Sequence, residues 1–107
     1  MKRGDLVTIA LPGDLGKPRP ALIVQSDLFE AHPSLTLLPL TTEMRGDLHF
    51  RITVAPNSEN GLRARSQVMV DKIQSVARAR IGAGFGRLSA REMVAVDRAM
   101  TLFLGLA

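Results

Sequence analysis

Arg19 stands between Pro18 and Pro20. Proline fixes φ, so two of them stiffen the backbone around one long cationic side chain and can aim its guanidinium. An aimed guanidinium suits the stabilisation of an anion that develops during a reaction, while an extended strand entry with an incidental arginine has the same sequence. Thr41 and Thr42 close an apolar run; a hydroxyl pair at a β-bulge and plain strand-end propensity both account for them. Arg63 to Arg80 holds five bases (Arg63, Arg65, Lys72, Arg78, Arg80) and one acid, Asp71. Eleven of the 14 bases in the chain are arginine. The guanidinium fork matches a phosphodiester backbone, although a solvated basic surface has the same composition. With four Phe and neither Tyr nor Trp, charge and hydrogen bonds rather than stacking should hold any nucleic acid.

Several chemistries are excluded by spacing. His32 and His49 have no third ligand at metal spacing, and the chain has no cysteine, so neither a metal site, a thiolate nucleophile nor a cofactor is expected. Gly82-Ala-Gly-Phe-Gly-Arg87 looks superficially like a phosphate loop but does not open a helix. The 107 residues, 46% hydrophobic, suit one domain over 1–107 with a core that needs no staple. The charge is uneven: residues 1–50 carry 5 basic and 6 acidic side chains, residues 51–107 carry 9 and 4. The longest run free of Lys, Arg, Asp and Glu is 31–42, too short for a membrane span, and the start of the chain shows no secretory pattern. A soluble cytoplasmic protein is expected.

These residues must be positioned by strands. Asp5–Ala10, Ala21–Gln25, Leu35–Leu40, Phe50–Val54, Ser66–Asp71 and Ala77–Leu88 read as strands. Pro39 should lie on an edge or at a bulge, and Gly82, Gly84 and Gly86 should permit bulges and bends. Leu11–Pro18, with two Pro and two Gly, reads as an exposed loop, Ser26–Pro33 as a connection or single helical turn, and Pro56–Gly61 as a turn. Ser89-Ala-Arg-Glu92 fits a capping box ahead of a helix over Ala90–Leu104, with Gly105 as its C′ residue. Its stripe is Met93, Val96, Met100, Phe103 and Leu104; Val94, Ala95, Ala99 and Leu102 widen it beyond what one small barrel covers, which predicts a homodimer. The fold class is therefore mainly β with α: a small, strongly bent antiparallel barrel with a C-terminal helix.

Arg3-Gly4-Asp5-Leu-Val, Lys17-Pro-Arg19-Pro20-Ala-Leu-Ile-Val-Gln25-Ser-Asp27, Pro39-Leu-Thr41-Thr42 and Val70-Asp71-Lys-Ile73-Gln-Ser-Val76, followed by Gly86-Arg-Leu88 and an amphipathic helix, resemble the MazF/PemK toxin family nearly end to end. The resemblance implies an SH3-like or CcdB-like barrel, a homodimer, metal-independent cleavage of single-stranded RNA at short sequences to 2′,3′-cyclic phosphate and 5′-hydroxyl ends, and silencing by a cognate acidic antitoxin. It places Arg19 and Thr41 at the catalytic positions, Lys17 in a loop that covers RNA in relatives and Asp71 at an acidic position of the family; with Thr42 and the basic-patch residues Lys72, Arg78 and Arg80, Lys17 and Asp71 are expected in RNA binding. The chain departs from the PemK branch at Met69, where that branch has arginine, and at Lys72, where relatives usually have glutamine; this leaves Asp71 for recognition or for orienting Arg19. The alternative that the same architecture implies is a non-catalytic, CcdB-like barrel binding a protein target such as DNA gyrase.

Overall fold

A computed structural model describes residues 1–10, 17–46 and 48–106. Seven strands follow in order: β1 (Asp5–Ile9), β2 (Arg19–Ile23), β3 (Ser34–Thr41), β4 (Arg51–Val54), β5 (Ser66–Met69), β6 (Gln74–Ala77) and β7 (Ile81–Arg87), then helix α1 (Ala90–Phe103). Single 3₁₀ turns sit at Asp27–Phe29, Val70–Lys72 and Arg78–Arg80. All the described pairings are antiparallel. Residues 11–16 of the loop expected between the first two strands lie outside the described residues.

The hydrogen-bonded order is β4-β5-β3-β2-β1-β7, with β6 also on β3. Among the described residues β4 and β7 do not pair with each other, so the bent sheet is not a closed barrel. β3 is central and carries the bend. One edge pairs with β2; the other pairs with β6 over Ser34–Leu37 and with β5 at Leu40 and Thr41. Pro39 therefore lies in a central strand, not an edge strand. It falls in the gap between the two partners on that side, where a missing N–H interrupts no ladder.

The strand expected over Ser66–Asp71 ends at Met69 and turns at Val70–Lys72, so Asp71 is a turn residue. The last strand starts at Ile81 rather than Ala77. The bulges expected of its glycines are present: Leu6 pairs with Gly86 and Val7 with Gly84, leaving Phe85 as the extra residue.

Alternation buries both sheet faces. Leu6, Leu22, Leu38, Leu40, Val68 and Val70 pack beneath the helix, while Val7, Ile9, Ala21, Ile23, Leu35 and Leu37 fill a second cluster. Helix α1 begins as expected: Ser89 Oγ accepts from Glu92 N–H at 3.1 Å and Glu92 Oε1 from Ser89 N–H at 2.9 Å, a reciprocal cap of the kind that contributes about 1 kcal/mol. It ends in a Schellman motif, with Gly105 at φ +71° and the N–H of Leu106 donating to the Thr101 carbonyl at 2.9 Å. The buried face runs through Val96 and Ala99, with Met93 and Met100 packed beside them. Phe103 and Leu104, expected on that stripe, are 45% and 47% exposed, although the Phe103 ring lies 5.7 Å from that of Phe50.

Candidate active site

Arg19 opens β2 and Thr41 closes β3, 22 residues apart in the chain but adjacent in the sheet. The register pairs Ala21 with Pro39; continued by two residues, it brings Arg19 level with Thr41 on the same face. Directly opposed side chains on neighbouring strands have Cβ atoms about 5 Å apart. Both residues line one cleft of about 260 Å³, with Pro39, Met69, Lys72 and Gln74. Arg19 and Lys72 are exposed at its mouth and Thr41 is half-buried.

Thr41 is held in a defined orientation. Its Oγ1 accepts the Glu43 N–H at 3.1 Å, which leaves its own O–H available as a donor. The segment bearing Glu43 is in turn clamped by Gln67, 4% exposed. Gln67 Oε1 accepts the Arg45 N–H at 3.0 Å, and Gln67 Nε2 donates to the Arg45 carbonyl at 2.8 Å and to Thr53 Oγ1 at 3.2 Å. Sequence reading did not single out Gln67 or Gln74. A polar residue alternating inward in an apolar strand is the signal that could have marked Gln67.

The other expected site residues disperse. Strand alternation sends Thr42 away from Thr41, into a second cleft with Pro18 and Pro20 on the far side of the Arg19 arm. Lys17 is exposed beside that arm. Asp71 lies next to Lys72, but both its oxygens are engaged by Arg51: Nε to Oδ1 at 2.8 Å and Nη2 to Oδ2 at 3.0 Å, with the two side chains 11% and 18% exposed. Burial pushes the Asp71 carboxyl up, and the Arg51 hydrogen bond and charge more than reverse that, holding it below the usual carboxylate range. Arg78 and Arg80 line neither cleft. Arg78 Nη2 donates to the Glu30 carbonyl and, at 3.2 Å, to the His32 carbonyl, so its guanidinium anchors the 30–33 segment. Arg80 is exposed at the end of the sheet, its carbonyl accepting from the Ala10 N–H across β1 from Arg19.

In chemical terms the first cleft sets a bidentate cation opposite an oriented hydroxyl donor, with a lysine at the rim. That arrangement can hold the non-bridging oxygens of a phosphodiester and stabilise added charge on phosphorus.

Comparison with known proteins agrees with the sequence resemblance. Residues 2–104 match the family described as PemK-like, MazF-like toxin of type II toxin-antitoxin system. A protein of Mycolicibacterium smegmatis named probable endoribonuclease MazF is 43% identical over 108 residues, covering 100% of this chain and 99% of that protein. The structure of Mycobacterium tuberculosis toxin MazF-mt6 superposes with a TM-score of 0.83 at 28% identity, covering 96% of this chain and 98% of that one. An endoribonuclease from a mycobacterial species, solved in complex with its cognate antitoxin, shares the fold with a TM-score of 0.85 at 23% identity, covering 100% and 97%.

Proposed function

Because the chain belongs to the PemK-like, MazF-like toxin family of type II toxin-antitoxin systems, we propose that it is an endoribonuclease that cleaves single-stranded RNA in the Arg19–Thr41 cleft. The observation that carries this reading is the strand register that sets Arg19 level with Thr41 on one face.

In the reaction the 2′-hydroxyl oxygen attacks the adjacent phosphorus, a bond from O2′ to phosphorus forms, and the bond to the 5′-oxygen breaks. The 2′-hydroxyl proton leaves and the 5′-oxygen acquires one, so the ends are a 2′,3′-cyclic phosphate and a 5′-hydroxyl. Arg19 donates two N–H groups to the non-bridging oxygens and stabilises the charge that builds on them; with a pKa above about 12 it is an electrostatic group rather than a proton acceptor. Thr41, its oxygen tethered by Glu43 N–H, donates a hydrogen bond through its O–H to a non-bridging oxygen. Lys72 at the rim and Lys17 beside the arm neutralise flanking phosphates, each contact adding to a salt-sensitive attraction. Asp71 braces the turn that presents Lys72.

Purified protein incubated with a long single-stranded RNA and excess EDTA, without ribosomes, should cut it and leave 5′-hydroxyl ends. Activity lost on chelation and restored by a divalent ion would overturn the reading.

The chain works as a homodimer in the cytoplasm. No helix among the described residues is long and apolar enough to cross a membrane. Val94, Leu102, Leu104 and Leu106 expose an apolar strip on and just past α1 that a second copy would cover. Light scattering at micromolar concentration should give twice the 11.6 kDa chain mass, and a particle of 11.6 kDa would refute the dimer. A cognate antitoxin presents an acidic segment that folds on contact, its carboxylates competing with phosphate for the exposed bases Arg63, Arg65, Lys72 and Arg80.

A further inference from the structure

We propose that the second cleft, across the Pro18–Arg19–Pro20 arm, is a nucleobase pocket in which one base flanking the cleaved phosphate stacks on Phe85; this rests on the RNA-cleaving reading above. The cleft measures about 510 Å³ and is lined by Thr8, Pro18, Pro20, Thr42, Arg63 and Phe85, among others. Pro18 and Pro20 flank Arg19, and Thr42 follows Thr41, so the two clefts are opposite faces of the same two strand ends. An RNA strand with its reacting phosphate at Arg19 turns its neighbouring nucleotide over the arm into this space.

Phe85 is presented for such a contact. It is the extra residue of the β7 bulge, a position that re-aims a side chain, and Gly84 and Gly86 on either side leave its ring 36% exposed. The backbone beneath it is fixed. A Cβ on Gly86 would lie 2.2 Å from the Asn60 carbonyl oxygen, and one on Gly61 2.6 Å from the Phe85 carbonyl oxygen, so the 57–61 turn locks against the bulge. Asn60, fully buried, secures that turn by accepting the Asn57 and Leu62 N–H groups and donating to the Ala55 carbonyl.

The remaining walls suit a base. Prolines give flat apolar sides, and the hydroxyls of Thr8 and Thr42 have no hydrogen bond to another described residue, which leaves them for base edges. Arg63, exposed at the rim, supplies a cation for the attached phosphate. Apolar walls with a few convergent polar groups are what small planar ligands require. A single aromatic platform also separates this site from the charge-dominated surface that the composition suggests.

The chain contains no Trp or Tyr, so Phe85→Trp introduces one fluorescent reporter at the floor of the pocket. The probe is the cleaved RNA segment, as mapped in the EDTA assay, carrying a 2′-deoxy nucleotide at the cut. It should quench the indole saturably, at the same concentration that raises the anisotropy of the labelled oligonucleotide. An abasic site at one flanking position should abolish quenching and weaken binding about tenfold, the loss typical of one stacked base. Phe85→Leu should raise KM about tenfold, with the melting temperature and kcat retained. If the oligonucleotide binds by anisotropy while the indole stays unquenched and Phe85→Leu binds normally, the pocket is refuted and the cleavage reading stands. If no RNA is bound or cut, both fail. Quenching by an antitoxin peptide alone would overturn the proposal and assign the pocket to protein.

Discussion

Arg19→Ala should lower kcat/KM for RNA cleavage by at least about 10²-fold, which is about 2.7 kcal/mol of transition-state stabilisation. The fold should survive, since Arg19 is the exposed first residue of β2 and its pairing with Ile9 is a backbone matter. An exposed ion pair or hydrogen bond lost with such a side chain is worth about 0–1 kcal/mol. Arg19→Lys should recover little. An ammonium keeps the charge but loses the planar fork that reaches two phosphate oxygens at once, and the flanking prolines that aim the arm cannot supply the second donor. The two variants therefore separate charge from geometry. A near wild-type rate for Arg19→Lys would show that charge alone suffices, and the register with Thr41 would lose its meaning. Circular dichroism and thermal melts on the same samples keep a folding defect from passing as a catalytic one.

That register also marks how far the residues alone could be read. Period-two alternation marks β4, β5 and, in part, β1, apolar runs mark β2 and β3, and the capping box locates the start of α1 to the residue. Alternation cannot show a turn of three residues, and so Val70–Val76 hides both the 3₁₀ turn and β6. The proline pair singles out Arg19 in the sequence, but its association with Thr41 depends on how two strands 22 residues apart slide past each other. Its inward place in an apolar strand could have marked Gln67 as buried, but not what it holds: its main partner is the backbone of Arg45, and a backbone has no signature. Some family-like motifs serve structure instead of chemistry. Arg3 ties the chain start to α1 through Asp97 and to the Val24 carbonyl, and Gly4, at φ +95°, donates its N–H to the Ile23 carbonyl and accepts the Leu88 N–H. The phosphate-loop look of 82–87 dissolves likewise, since those glycines make room for a bulge and a close-packed turn.

Asp71, expected from the sequence in recognition or in orienting Arg19, is paired with Arg51, and Asp71→Asn should accordingly destabilise the fold by about 2 kcal/mol at pH 7. The estimate lies between an exposed ion pair, worth about 0–1 kcal/mol, and a fully buried one, whose rupture costs about 3–5, because the Arg51 guanidinium is 11% exposed and would lose its counter-charge. Arg51 also lies over the Phe50 ring at 5.9 Å, and Phe50 meets Phe103 at 5.7 Å, so the pair links β4, the Lys72 turn and the end of α1. The pH dependence distinguishes this role from a solvent-facing one. The folded-state carboxyl titrates below its unfolded value, so its contribution is complete above that value, about 3.9, and is lost as pH falls through the folded one. Urea unfolding of wild type and Asp71→Asn should then show a gap that is constant from neutrality to about pH 5 and narrows below about pH 4. Activity per folded molecule should change far less than in Arg19→Ala, since Arg51 bonds both oxygens of Asp71 and fixes the carboxylate on the turn. A variant with wild-type stability but cleavage reduced about 10²-fold would reverse the assignment and put the Asp71 carboxylate into the reaction.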